Sequence, residues 1–134
     1  MISPHRRRLD ALTALWNAGD DEGFRAGLHP EIEFLPDPRW PEPGPYRGRE
    51  AVTRFLEEYR SAWEEVQLQV DSVEERLDAL VAGCRWLVQG RSSGADVPVA
   101  FTLVMRFGPD DLVVRMAAFF DRDDGLAWVE ATAP

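Results

Sequence analysis

A chain of 134 residues with 45% hydrophobic content and five tryptophans is long enough to bury one core and too apolar to stay disordered. Its formal charge is −9 and all 15 basic residues are arginine, so it lacks the basic face of a general nucleic-acid binder. A single cysteine, Cys84, excludes an internal disulfide and a Cys-based zinc motif. The Arg6-Arg7-Arg8 run is too short to supply a nucleic-acid surface. No apolar run approaches bilayer-spanning length and no signal peptide is evident, so a cytoplasmic protein with no membrane association is expected.

Residues 5 to 18 carry Leu9, Leu12, Leu15 and Trp16 largely at spacings of three and four, which predicts an amphipathic helix ended by Gly19. Asp20 is a natural N-cap for a second, short helix over Asp21 to Leu28, with Phe24 and Leu28 as its apolar contacts. His29-Pro30 stops that helix and leads into a strand, Glu31 to Leu35, which ends at Pro36. Asp37 follows at once. A stiff loop then carries Trp40 and Tyr46 among Pro38, Pro41, Pro43, Gly44 and Pro45. A carboxylate and two large aromatics on a rigid loop at a strand end suit the rim of a small-molecule pocket.

Gly48 precedes a third helix, roughly Glu50 to Trp63, with Val52, Phe55, Leu56, Tyr59 and Trp63 as its inward stripe. Phe55 reads as core; Tyr59 and Trp63 carry polar tips and can line a cavity. From Glu65 the period changes to two. Val66, Leu68 and Val70 alternate with Gln67, Gln69 and Asp71, and the phase breaks near Ser72-Val73, the mark of a bulge. Residues 79 to 91 form a second strand of this run, with Leu80, Cys84, Arg85 and Trp86, and Ser92-Ser93-Gly94 turns it. Val97 to Phe107, including Phe101 and Met105, alternate through a long strand that ends at the Gly108-Pro109-Asp110-Asp111 turn. Leu112 to Asp121 is the last strand, and Asp123 to Val129 closes the chain with a helical turn.

No repeat or long linker divides residues 1–134, which read as a single domain. Helices first and hairpin-linked strands last give an α+β class. A strongly curved antiparallel or mixed β-sheet wrapped around the long helix would form a cone enclosing the aromatic positions.

Four ionisable residues are candidates for the pocket: Asp37, Arg85, Arg115 and Asp121. Arg85 sits in an otherwise apolar strand and needs a carboxylate partner or an anionic ligand. Arg115, Ala117, Phe119 and Asp121 share one strand face by their even spacing. Arg115 and Asp121 either polarise a carbonyl or phenolate or form a structural ion pair, and Asp121 is also placed to cap the closing turn. Asp37 is either a general base, its pKa raised by Trp40 and Tyr46, or a turn-forming loop residue. No Ser or Cys stands near a base, and His5, His29 and the scattered carboxylates form no ligand set. No phosphate-loop spacing occurs either, so no metal and no cofactor are expected.

Several segments carry a family resemblance: Trp16-Asn17-Ala18-Gly19-Asp20, Leu28-His29-Pro30-Glu31, Tyr46-Arg47-Gly48-Arg49-Glu50-Ala51-Val52, Arg91-Ser92-Ser93-Gly94 and Phe120-Asp121-Arg122. With the element order, they make the chain resemble the SnoaL-like polyketide cyclase family. The resemblance implies the cone-shaped fold shared with ketosteroid isomerase, scytalone dehydratase, limonene epoxide hydrolase and nuclear transport factor 2. It also implies that the Arg115 face looks inward. The isomerase's general base falls at Pro36, one residue before Asp37, and Pro36 breaks strand alternation, so Asp37 is expected to face the cavity. The isomerase's two oxyanion donors match Leu12 and Leu103, which cannot donate. The hydrolase's Asp-Arg-Asp cluster and the dehydratase's His pair have no counterpart.

Two readings follow. In one, a mostly apolar, cyclic ligand sits among Trp16, Phe34, Trp40, Tyr46, Phe55, Tyr59, Trp63, Phe101, Met105 and Phe119. Asp37 as base and Arg85 or Arg115 as anchor would then drive cofactor-free isomerisation, cyclisation or dehydration. In the other, the domain binds a ligand or dimerises without catalysis. A homodimer through the outer sheet faces is expected, because both faces of the Leu80 strand are partly apolar.

Overall fold

The computed structural model describes residues 2–42, 44–62, 65–89 and 96–133. Two helices open the chain, α1 (Pro4–Asn17) and α2 (Asp21–Ala26), and lead into β1 (Leu28–Leu35). A short β2 (Tyr46–Arg47) precedes α3 (Arg49–Ser61). Four strands follow, β3 (Glu65–Arg76), β4 (Ala79–Gln89), β5 (Asp96–Phe107) and β6 (Val113–Phe119), and α4 (Arg122–Ala131) closes the described chain. The strands form one curved, unclosed sheet in the order β2-β1-β6-β5-β4-β3. All neighbours are antiparallel except β1 and β6, which run parallel.

Local chemistry accounts for most of these boundaries. The Ser3 hydroxyl accepts from the Arg6 N–H at 3.1 Å and Pro4 fills the first turn, so α1 starts there. Gly19, at φ 74°, turns the chain away at the other end. Asp20 caps α2 through the Gly23 N–H at 2.9 Å. That helix is shorter than expected and stops at Ala26, and the strand starts early, at Leu28. His29 and Pro30 thus lie within β1. The register with β6 shifts between Leu28 and Glu33, so Pro30 falls where a missing N–H costs no ladder bond. The register shift expected near Ser72 is present, between Val70 and Ser72. The closing segment is a ten-residue helix rather than a turn, and β6 ends at Phe119.

Two apolar layers sandwich the sheet. On the inner side, Leu9, Leu12 and Trp16 of α1 and Val52 and Leu56 of α3 are buried against Leu80, Cys84, Phe101, Leu103 and Met116. The side-chain amide of Asn17 pins α1 to the edge strand β3. Its Nδ2 donates to the Leu68 carbonyl at 3.0 Å and its Oδ1 accepts from the Leu68 N–H at 2.8 Å. On the outer side α4 packs Val129 on Ala79, Val81 and Val104. A side chain at Gly125 would stand 3.0 Å from Thr102, so glycine sets how closely α4 approaches. Part of the cover expected from a second copy of the chain is therefore supplied by the chain's own last helix.

Arg106 lies under that helix with only 8% of its surface exposed. It donates to the Val129 carbonyl at 2.9 Å, the Thr132 hydroxyl at 3.1 Å and the Leu77 carbonyl at 2.8 Å. A cation at the helix C-terminus is favoured by the exposed carbonyls there. It also ties α4 to the β3–β4 turn, where Leu77 and Asp78 adopt positive φ. Arg106→Met should strand the buried Val129 carbonyl, release the exposed Leu77 turn and lower stability by about 1–3 kcal/mol in urea denaturation. An unchanged denaturation midpoint would show that the three bonds are dispensable.

Candidate functional site

Between α1, α3 and the inner sheet face lies a cavity of about 100 Å³. Helix α1 contributes Leu9, Leu12, Thr13 and Trp16, and α3 contributes Phe55, Leu56 and Tyr59. Phe34, Pro36, Asp37 and Trp40 come from β1 and the loop after it. The sheet supplies Trp86, Phe101, Leu103, Met105, Met116 and Ala118, among others. Trp86 is central to an aromatic wall, with ring centroids 5.4 Å from Trp16, 5.6 Å from Tyr59 and 5.4 Å from a stacked Phe101. Trp40 closes the wall at 5.5 Å from Tyr59 and 6.5 Å from Phe120.

Eight of the ten expected wall residues line this space: Trp16, Phe34, Trp40, Phe55, Tyr59, Phe101, Met105 and Phe119. Tyr46 does not. It packs behind Phe55 at 4.6 Å and its hydroxyl donates to the Glu42 carbonyl at 3.0 Å. Trp63 and the Arg91–Gly94 turn lie outside the described residues. Sequence reasoning misses Trp86, Phe24, Thr13 and Met116. A signal for Trp86 exists, because it continues the even-numbered, buried series Leu80, Ala82 and Cys84.

The expected charges divide into two groups. Asp37 lines the cavity and is 4% exposed, as the broken alternation at Pro36 implied. It also forms the turn. Its Oδ1 accepts from the Arg39 backbone N–H at 2.8 Å and from Arg39 Nε at 2.9 Å. Its Oδ2 accepts from Arg39 Nη2 at 3.0 Å and from the Phe120 N–H at 2.9 Å. These bonds, led by the Arg39 guanidinium, outweigh burial and hold the carboxyl well below the usual carboxylate range. The shift is opposite to the one expected from Trp40 and Tyr46. A carboxylate so stabilised is a weak base. Arg39, which nothing in the sequence pattern singles out, also meets Asp121 at 3.2 Å and lies 5.1 Å over the Phe120 ring. Asp121 occupies the N-cap position of α4 without a capping bond, its carboxylate turned to Arg39.

Arg85 and Arg115 are not in the cavity. Cys84 and Trp86 face inward, as do Met116 and Ala118, so the residues between them face out. Arg85 pairs with Asp71 across the strands at 2.8 and 3.0 Å, both side chains about 40% exposed. Arg115 lies 3.7 Å from Glu33 and 5.5 Å over the Trp128 ring of α4. Arg115 thus lies on the outer side of the sheet, and of the face expected to look inward Phe119, at the end of β6, is the residue that reaches the cavity. Among the described residues no cluster of His, Cys, Asp or Glu is placed to hold a metal ion, and no helix is long and apolar enough to cross a membrane.

Among the described residues Tyr59 is the other titratable group on the wall, apart from Asp37, and burial pushes its hydroxyl up to about 12. It is neutral throughout the ordinary pH range.

The family model described as a SnoaL-like domain matches residues 9–130, and the chain belongs to that family. No curated protein matches it. Among solved structures it is similar to TerC co-crystallised with polyporic acid, at 21% identity and TM-score 0.75, over 96% of this chain and 99% of that one. It is also similar to RV0760c from Mycobacterium tuberculosis in complex with estradiol-17beta-hemisuccinate, at 17% identity and TM-score 0.76, over 90% and 96% of the two chains. An ntf2-like protein of unknown function from Burkholderia pseudomallei matches at 18% identity and TM-score 0.76, over 95% and 98%. At these identities the likeness is one of fold.

Two outcomes follow from the charges. Asp37 has a folded pKa below its ordinary value of 3.8, so the unfolded chain takes up the proton first. Its stabilisation is complete above that value and is lost as pH falls toward the folded pKa. Asp37→Asn should therefore flatten the loss of melting temperature on acidification below about pH 4, as measured by melts across pH. Arg85→Met should melt close to the parent, since its pair is half-exposed. A large drop in its melting temperature would return Arg85 to a structural role.

Proposed function

We propose that this SnoaL-like protein binds small, flat, largely apolar molecules in its cavity and does so without carboxylate-base chemistry. The observation that carries the proposal is the pairing of an aromatic wall with, among the described residues, a single lining carboxylate that already accepts four hydrogen bonds. The apolar lining supplies binding energy through burial. The volume sets the scale: a cavity of about 150 Å³ lined by apolar side chains holds benzene. The space seen here, about 100 Å³, is smaller than that, so one ring is the most it takes and the lining must yield to admit it, and a larger ligand must displace the Trp40 loop. The complexes of TerC with polyporic acid and of RV0760c with estradiol-17beta-hemisuccinate support a small-molecule role for this fold.

Isomerisation, cyclisation or dehydration would need a base at the wall. Asp37 could serve only after leaving Arg39 and the Phe120 N–H, and the two positions that match the isomerase's oxyanion donors, Leu12 and Leu103, present hydrocarbon to the cavity. These features favour binding over turnover.

Titration calorimetry with substituted benzenes tests the proposal. The parent should bind, and Ala118→Phe, which projects a ring from β6 into the space, should weaken binding at least about tenfold while the fold melts normally. Absence of binding to the parent, or equal binding by the variant, would refute a ligand site in this cavity.

A further inference from the structure

The turn after β1 carries part of the cavity wall on one side and a cluster of ion pairs on the other. Its residues are Asp37-Pro38-Arg39-Trp40, closed by the Trp40 N–H, which donates to the Asp37 carbonyl at 2.9 Å. Aspartate first and proline second suit such a turn, and the bond from the Arg39 N–H to the Asp37 carboxylate at 2.8 Å stiffens it. Trp40 lines the cavity, its ring 6.4 Å from Phe55 and 5.5 Å from Tyr59 on α3 and 6.5 Å from Phe120. The ring therefore stands across the gap between α3 and the end of β6. Trp40 is half-buried and Phe120 is 37% exposed, so this stretch of wall borders on solvent.

Arg39 is not a lining residue; its side chain is 55% exposed and holds the turn from outside. The turn has two anchors of unequal strength. The inner one is the buried Asp37 carboxylate, which accepts from the Phe120 N–H at 2.9 Å. Undoing it would leave a buried charge short of donors. The outer one runs from Arg39 Nη2 to Asp121 at 3.2 Å and Asp124 at 3.9 Å, all three side chains more than half exposed. Ion pairs so exposed are worth little and open readily.

We infer that Arg39 is a positioning residue that sets the size of ligand the cavity admits, by tying the turn that carries Trp40 to the start of α4. This inference rests on the binding role proposed above and adds what limits it. With the tie made, Trp40 closes the gap and about 100 Å³ lie behind it. With the tie broken, the turn pivots on the Asp37–Phe120 bond and the ring swings away, which makes room for a second ring. The consequences differ with ligand size. A one-ring ligand is bound behind the closed turn, so a weaker tie destabilises its free and bound states alike and speeds entry and exit together. A two-ring ligand is bound only with the turn open, so its apparent affinity rises with the fraction of molecules in that state.

The test compares phenol with 2-naphthol on the parent, Asp121→Asn and Arg39→Met. Affinities come from titration calorimetry and phenol exchange rates from NMR line shapes. Asp121→Asn removes one outer partner, keeps the Asp37–Arg39 pair and removes no capping bond from α4. It should raise the entry and exit rates of phenol about threefold with no change in affinity, and tighten 2-naphthol about threefold. Arg39→Met removes the whole tie and should tighten 2-naphthol about tenfold or more. Amide exchange at Arg39 and Trp40, followed without ligand, should quicken in both variants. A purely structural pair would lower the melting temperature without moving the two ligands in different ways. Should Arg39→Met fail to fold, Asp121→Asn decides alone. If phenol binds but its exchange rates and the affinity for 2-naphthol are the same in parent and folded variants, the inference fails and the binding role stands. It fails likewise if amide exchange in the turn is unchanged. If neither ligand binds the parent, the binding role fails and takes this inference with it.

Discussion

The site depends on the parallel pairing of β1 with β6. The two strands are far apart in sequence, and their register sets Leu35 beside Ala117. Asp37 lies two residues beyond the first and Phe120 three beyond the second, so both leave the sheet at the same place. There the Phe120 N–H, no longer engaged in the ladder, meets the Asp37 carboxylate. Arg39 then closes on the same carboxylate from within the turn and reaches on to Asp121. One long-range pairing thus brings the proline-rich loop, the end of the last strand and the start of α4 to one edge of the cavity.

That junction changes the meaning of the carboxylate. A lone Asp against tryptophan would have its charged form destabilised and would gain basicity. With four donors around it, the charged form is the stable one and the group behaves as a fastener. The cavity behind it keeps a largely aromatic surface, the kind of lining that binds through burial.

The outer sheet face solves a different problem. Its charged residues are paired locally, Arg85 with Asp71 and Arg115 with Glu33, and α4 covers the apolar positions between β4 and β6. Arg106 is the exception, a buried cation whose partners are carbonyls and a hydroxyl. It secures α4 to the β3–β4 turn, and α4 starts beside the Asp37–Arg39 junction. Outer-face packing and cavity rim are therefore joined through one short helix.

The sequence by itself determined what depends on near neighbours along the chain. The apolar spacing of Leu9, Leu12 and Trp16, the Asp20 cap, the stop at Pro36 and the change to period two at Glu65 specify α1, α2, the end of β1 and the strand run. The bulge near Ser72 and most of the aromatic wall were legible for the same reason. Tertiary structure alone decided which strand face looks inward. Alternation separates Arg115 from Met116 but carries no sign, and α4 on one side with α1 and α3 on the other supply it. It also decided the state of Asp37, since the Phe120 N–H is distant in sequence and the grip of Arg39, two residues away, depends on a turn conformation that local propensity does not specify. Charge and burial act through space, and a carboxylate's chemistry is set by groups that only the folded chain brings to it.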